Sequence, residues 1–339
     1  MRSILVTGGC GFVGSNLAIF LKKKLKCQIT SFDNLSRNGS SLNLKRLAKN
    51  GIKNINQNIS SKRALSKLKK FDLIIDCCAE AAVEYSKNNV NKVFDTNLVG
   101  TFNVLEKVKR DNAKIIFIST SRVYSIDKIA EIFKKKTNLK KKIIDERFPT
   151  DSPISIYGFT KLASEILIKE YSYLHHIKYI INRCGVISGP WQFGKVDQGF
   201  VSFFLWRYLN NKSITFKGYN GSGEQIRDVL HINDFNSLIL RQIRNMDKIN
   251  NETFNVGGGL VSYTSLKNLS KLCEKISKNT LEIKKIKESS NYDIPFYISD
   301  ISKVLKFYDW KPKNNFSKII YDNFLWQKNN MKILNKYFI

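Results

Sequence analysis

Tyr157-Gly158-Phe159-Thr160-Lys161 sets a phenol and an ammonium four residues apart. On a helix those two positions share a face. Free tyrosine, with a pKa near 10, is a poor base at neutral pH. A lysine cation about 4 Å away favours the phenolate by roughly 4 kcal/mol at an effective dielectric near 20, or about three pKa units. That would bring the phenol toward 7, where a general base works best. The partner such a base needs is a hydroxyl that holds the reacting oxygen. Ser119-Thr120-Ser121, at the end of an apolar strand, offers three. Thr120 is the expected one, with Ser119 and Ser121 capping the strand.

The spacing Tyr-x-x-x-Lys is common on exposed helices and gains meaning from a second motif. Thr7-Gly8-Gly9-Cys10-Gly11-Phe12-Val13-Gly14 follows the apolar run Ile4-Leu5-Val6 and opens a helical stretch from Ser15 to Leu25. A second strand, Gln28 to Phe32, ends at Asp33-Asn34. Strand, glycine turn, helix, strand and acid form the pattern of a dinucleotide site. Gly8 permits the tight turn, Gly11 lets a pyrophosphate approach the backbone, and Gly14 allows close packing. The helix N-terminus faces the phosphates. Asp33 is suited to accept from the two adenosine ribose hydroxyls and to repel a 2′-phosphate, so the expected cofactor is NAD.

The elements that must position these residues alternate. Strands are expected at 3–7, 28–32, 53–57, 71–77, 113–119 and 178–183, with helices at 12–25, 41–50, 61–69, about 90–110 and 157–174. That alternation implies an α/β fold of the Rossmann-like, doubly wound kind, a parallel sheet with helices on both faces. Ligands of such sheets bind beyond the carboxyl ends of the strands, here Gly8, Asp33, Ala79 and Ser119. After residue 184 glycines break the pattern. The expected division is a cofactor-binding domain, 1–184 plus about 226–257, and a smaller α/β substrate-binding lobe, 185–225 plus 258–339. A helix is expected from Asn233, a strand from Thr253 to Val256, and further helices at 264–277 and 315–329. Residues 126–146, with Lys134-Lys135-Lys136 and Lys140-Lys141-Lys142, read as either a surface loop or a helical lid.

At 339 residues, 42% hydrophobic, the chain can bury a large core. Its first strand, expected from residue 3, leaves no room for a leader peptide, and no apolar run nears the roughly 18 residues of a membrane span. A cytoplasmic protein without membrane contact is expected. The net charge of +29 is spread along the whole chain without a nucleic-acid motif, so no nucleic-acid partner is expected. It would still steer an anionic substrate. The six cysteines show no metal-ligand spacing and read as reduced core residues, with no metal site. His231 and Asp234 read as structural, and the four tryptophans as core.

Together these segments resemble the extended short-chain dehydrogenase/reductases, the class of nucleotide-sugar epimerases and dehydratases. The resemblance runs through Asn97-Leu98-Val99-Gly100-Thr101, Tyr157/Lys161, Arg227-Asp228-Val229-Leu230-His231, Phe254-Asn255-Val256-Gly257-Gly258 and Asp309-Trp310-Lys311-Pro312. It implies Thr120, Tyr157 and Lys161 as the catalytic triad. It implies a cofactor cleft lined by Gly8, Gly11, Phe12, Val13, Gly14, Asp33, Asn34, Asn58, Ile59, Ala79, Asn97 and Lys161, with Asn58-Ile59 at the adenine. Substrate would meet Thr120, Arg122, Gln198 and Arg227, the last on the diphosphate, a role suited to a planar guanidinium. A homodimer or homotetramer is implied, built on the helices near 97–110 and 157–174.

Dehydratases of the class carry Asp-Glu after the catalytic threonine, whereas this chain has Ser121-Arg122. The long separation of Thr120 from Tyr157, the segment Gln192 to Phe200 and Asp33-Asn34-Leu35-Ser36-Arg37 resemble the branch that inverts C2 of a CDP-linked dideoxyhexose. Where relatives commonly place a second diphosphate arginine, three residues before Asp293, stands Ser290; either Lys287 or Lys195 substitutes for it, or the substrate's leaving half differs. The rival readings are a UDP-sugar 4-epimerase and, of another class, a non-catalytic NAD(H)-sensing or RNA-associated relative, against which the intact triad speaks.

Overall fold

The computed structural model of the chain describes residues 1–135 and 138–338. Lys136, in the lysine-rich run, lies outside the described residues. The order begins with β1 (Ser3–Thr7), α1 (Phe12–Lys24), β2 (Gln28–Phe32), α2 (Ser40–Lys49), β3 (Lys53–Ile55), α3 (Lys62–Ser66) and β4 (Leu73–Asp76). Then come α4 (Val83–Asn88), α5 (Val90–Phe94), a π turn (Asp95–Val99), α6 (Gly100–Asp111), β5 (Lys114–Thr120), α7 (Ile126–Lys134), α8 (Ser155–His175) and β6 (Tyr179–Cys184). The remainder holds β7 (Val186–Ser188), α9 (Phe200–Leu209), β8 (Ile214–Lys217), β9 (Ile226–His231), α10 (Ile232–Asn245), β10 (Glu252–Val256) and β11 (Tyr263–Ser265). It ends with α11 (Leu266–Ser277), β12 (Ile283–Ile286), β13 (Phe296–Tyr297), α12 (Ser302–Tyr308) and α13 (Phe316–Leu334).

The chain forms two compact units. The first comprises Met1–Val123, Ser155–Arg183 and Asn236–Phe254, and the second Tyr124–Ile154, Cys184–Phe235 and Asn255–Ile339. In the first, a seven-stranded sheet runs β3-β2-β1-β4-β5-β6-β10. The pairings from β3 to β5 are parallel. Ile4-Leu5-Val6, Leu73-Ile74-Ile75 and Ile115-Ile116-Phe117 are fully buried. Both faces are covered, which is why these strands read as unbroken apolar runs rather than as alternation. One core packs Leu5, Phe32, Ile74, Val104, Ile115, Phe117, Ile168 and Ile181. The strand order reverses between β1 and β4, which makes their carboxyl ends the binding crevice of this topology.

In the second unit β9 is central, pairing with β7, β11 and β13. Its core gathers Leu205, Phe216, Val229, Leu269 and Ile319. A separate aromatic cluster stacks Trp206 on Phe338 at 4.6 Å beside Trp326.

Three expectations are corrected. Residues 226–235 belong with the second unit, because β9 extends the small sheet and not the large one. Residues 124–154 also join that unit. Of the two alternatives open for 126–146, helix forms over Ile126–Lys134: α7 packs Phe133 on Phe296, and the Ile144 amide donates to the Ile298 carbonyl at 2.9 Å. The single helix expected near 90–110 is instead α5, a π turn and α6, broken where Asn97 turns inward.

Candidate active site

The glycine turn is built for a ligand with close backbone contact. Gly8 has φ +61°, and a Cβ on Gly14 would stand 2.3 Å from the Gly8 carbonyl oxygen, so α1 starts hard against the turn. Gly11 differs. A Cβ there would meet the Gly8 oxygen at 3.1 Å, a tight contact but well short of the clash at Gly14. Gly11 is also the N-cap of α1 and supplies no side-chain cap. The first amides of the helix, at Phe12 and Val13, therefore have no capping side chain, as an anion-binding N-terminus requires.

Asp33 ties the end of β2 to this turn. Its carboxylate accepts from the amides of Cys10 at 3.0 Å and Leu35 at 2.7 Å. Burial pushes its pKa up, and the amides of Leu35, Cys10 and Gly11 and the Arg37 cation pull it back. Asn34 and Asn58 are exposed, each turning its side-chain oxygen onto a nearby amide, Ser36 and Ser60. Ile59 is buried against Gly100, where a Cβ would come within 2.8 Å. Ala79, half-buried, follows β4.

Asn97 is the wall of this region rather than its surface. It is buried; its Oδ1 accepts from the Glu80 amide at 2.8 Å, and its Nδ2 donates to the Glu80 carbonyl at 3.3 Å and Thr160 Oγ1 at 3.0 Å. Its carbonyl accepts from Thr101 and Ser164 hydroxyls. Asn97 thus staples the loop after β4 to α8, which carries Tyr157 and Lys161.

Thr120 ends β5, and its Oγ1 accepts from the Arg122 amide at 3.2 Å. Tyr157 and Lys161 lie one turn apart on α8 and are both buried. Lys161 Nζ sits 3.7 Å from the centroid of the Phe117 ring. Burial lowers the lysine pKa, while Asp76, Cys78, Glu165 and Cys77 act to keep it charged. All three expected catalytic residues belong to the first unit.

Two networks escaped the sequence reading. Glu165, fully buried, pairs with Arg183 at 2.7 Å and accepts from Ser119 Oγ at 2.5 Å, so Ser119 does more than cap its strand. On the other side Asn43 donates to the Cys10 carbonyl at 3.0 Å, and Arg46 to Asn16 Oδ1 at 2.6 Å, bracing turn and helix from α2. The spacing of Lys161 and Glu165, one helical turn, was the available signal for the first. The second had none, since its partners lie in separate helices.

In the second unit Arg227 is anchored. Its Nη2 donates to Asp293 Oδ1 at 3.1 Å and to the Ile294 carbonyl at 2.6 Å. Lys195, one expected substitute for the missing arginine, pairs with Asp197 at 2.9 Å. Lys195 and Gln198 exchange backbone hydrogen bonds. Ser290 accepts from the Asp293 and Tyr292 amides.

The pattern of the NAD-dependent epimerase/dehydratase family matches residues 4–257. The chain belongs to that family. CDP-paratose 2-epimerase of Salmonella typhi is 31% identical over 323 residues, 91% of this chain and 94% of the relative. UDP-glucuronate 4-epimerase 2 of Arabidopsis thaliana is 27% identical, covering 92% of this chain and 73% of the relative. Among solved structures, a UDP-glucose 4-epimerase of Thermotoga maritima superposes with a TM-score of 0.82 at 25% identity, over 97% of this chain and 100% of that one. NAD is the cofactor of this family member. The residues present fit it: an uncapped helix start, a glycine at its N-cap, and an acid held by backbone amides at the end of β2. In this epimerase/dehydratase those groups would hold the pyrophosphate and the adenosine ribose. Among the described residues no helix is long and apolar enough to cross a membrane.

Proposed function

We propose that this chain is a CDP-paratose 2-epimerase, inverting C2 of a CDP-linked dideoxyhexose in the cytoplasm. The observation that carries this reading is the similarity to the Salmonella typhi enzyme over nearly all of both chains. It is supported by the residues around the triad. The two positions after Thr120 are Ser121 and Arg122, which supply no carboxylate pair for elimination of water. Inversion by transient oxidation needs none.

When bound, NAD would supply a reversible hydride acceptor for the sugar carbon. Thr120 holds the sugar oxygen. Tyr157 takes the hydroxyl proton and later gives it back, and the Lys161 ammonium favours the phenolate. Positioning accounts for much of the remaining acceleration. Arg227, held in place by Asp293, would meet the diphosphate, with Gln198 and Arg122 flanking the sugar. The insertion bears on the same region: α7 packs on β13, whose Tyr297 pairs in register with Arg227.

A UDP-sugar 4-epimerase is the second reading, favoured by the likeness to the Thermotoga maritima and Arabidopsis thaliana proteins. Incubation with CDP-paratose and, separately, UDP-glucuronate, with products read by NMR, separates the two. The account expects turnover of the first alone.

The enzyme is further proposed to be a homodimer or homotetramer. Phe102 on α6 and Phe159 and Ile166 on α8 are large apolar side chains left exposed on two packed helices of the first unit.

A further inference from the structure

Asp76, the last residue of β4, is 1% exposed. Its Oδ1 accepts from Thr7 Oγ1 at 2.5 Å and the Cys78 amide at 3.2 Å, and its Oδ2 from Thr101 Oγ1 at 3.3 Å. These donors are neutral. A carboxylate this deep is costly unless opposite charge lies near it.

The sheet register supplies that charge. Asp76 pairs in register with Phe117 of β5, and residues in register on neighbouring strands point to the same face. Lys161 Nζ lies over the Phe117 ring on that face. Ser119, two residues beyond Phe117 and therefore on the same face, donates to Glu165, one turn along α8 from Lys161. The other nearby carboxylate, Glu165, already has the Arg183 guanidinium. Among the described residues Asp76 makes no ion pair, and neither does Lys161. The groups whose charges act on the ammonium are Asp76, Cys78 and Cys77 at the end of β4 and Glu165 of α8. Of these Asp76 does most to offset burial. β5 contributes the Phe117 ring beneath the ammonium.

We propose that Asp76 is a positioning residue for catalysis, the counter-charge that keeps Lys161 an ammonium beneath the reacting tyrosine. The proposal rests on the reading of Tyr157 and Lys161 as the acid–base pair. It assigns a role to the close of β4 that the catalytic triad leaves out.

The test titrates Lys161 directly in the full chain, by NMR of carbon-13-labelled lysine, the signal being assigned by its loss in Lys161→Met. In Asp76→Asn the lysine midpoint falls by about one pH unit or more, and the high-pH limit of turnover falls with it. Asp76→Glu recovers most of both shifts. An unchanged lysine midpoint in Asp76→Asn overturns the proposal. Should Asp76→Asn fail to fold, the pair Asp76→Asn/Lys161→Met decides. Removing both charges restores folding if the two are coupled, and leaves the chain unfolded if Asp76 is only a hydrogen-bond acceptor. The titration and folding need no substrate. A normal lysine shift without turnover of CDP-paratose would refute the substrate reading alone.

Discussion

A Cβ on Gly14 would lie 2.3 Å from the carbonyl oxygen of Gly8, whereas one on Gly11 would meet that same oxygen at 3.1 Å and nothing else. The two glycines therefore serve different ends. Gly14→Ala must push helix from turn, and overpacking of this kind costs about 1–3 kcal/mol. Gly11→Ala asks the Gly8 carbonyl to give by only a few tenths of an ångström, so it should lower the melting temperature less than Gly14→Ala and yet lose bound NAD. Thermal melting together with NAD released on denaturation checks both. If Gly11→Ala keeps its full NAD content, the phosphate role of that turn is wrong.

Tyr157→Phe should lose turnover by roughly 10²–10⁴-fold, the usual scale for a general acid–base group. NAD should remain bound, because the glycine turn and Asp33 are untouched. Lys161→Met should lose comparable activity. Turnover within tenfold of the parent in Tyr157→Phe would remove the tyrosine from the chemistry.

Much of this site is legible in the sequence because its parts are local. Gly8, Gly11 and Gly14 lie within one turn, Tyr157 and Lys161 within one helix, and the apolar strands announce themselves by burial on both faces. What was missed depends on distant partners. Glu165 meets Arg183 only once α8 lies beside β6, and no spacing links them. The hydrogen bonds of Asn97 to Glu80 and Thr160 depend on a π turn that periodicity does not reveal. Residues 226–235 join the second unit although β9 is apolar enough for either sheet; its partners, β7, β11 and β13, are only two or three residues long and leave little pattern in the sequence.

Asp228 gives the stability a pH signature. It is fully buried, and burial pushes its pKa from the ordinary 3.8 up to about 6, against hydrogen bonds from Ser299 and Gly259. A Cβ on Gly185 would come within 2.7 Å of its carboxylate, and one on Gly257 within 2.1 Å, so the pocket is closed. The folded state holds this proton to higher pH than the unfolded chain. The group therefore costs nothing below about pH 4, and its cost grows through the window up to about 6, reaching on the order of 3 kcal/mol. Asp228→Asn should gain stability relative to the parent as pH rises through that window and level off above it. Chemical denaturation at pH 4.5 and 7.5 checks this; a gain independent of pH would contradict it.

The exposed apolar side chains of α6 and α8 make the oligomer testable. Phe102→Asp combined with Ile166→Asp should yield a folded monomer by sedimentation, where the parent should sediment as a dimer or tetramer. A parent chain that is monomeric at micromolar concentration would end that proposal.

The central claim is inversion by a hydride that never leaves the site. The most direct measurement incubates the purified protein with CDP-paratose in deuterated water, without added NAD, and reads the product by proton NMR and mass spectrometry. The account predicts CDP-tyvelose carrying no deuterium at C2. Deuterium at C2, or turnover only of UDP-linked sugars, would contradict it.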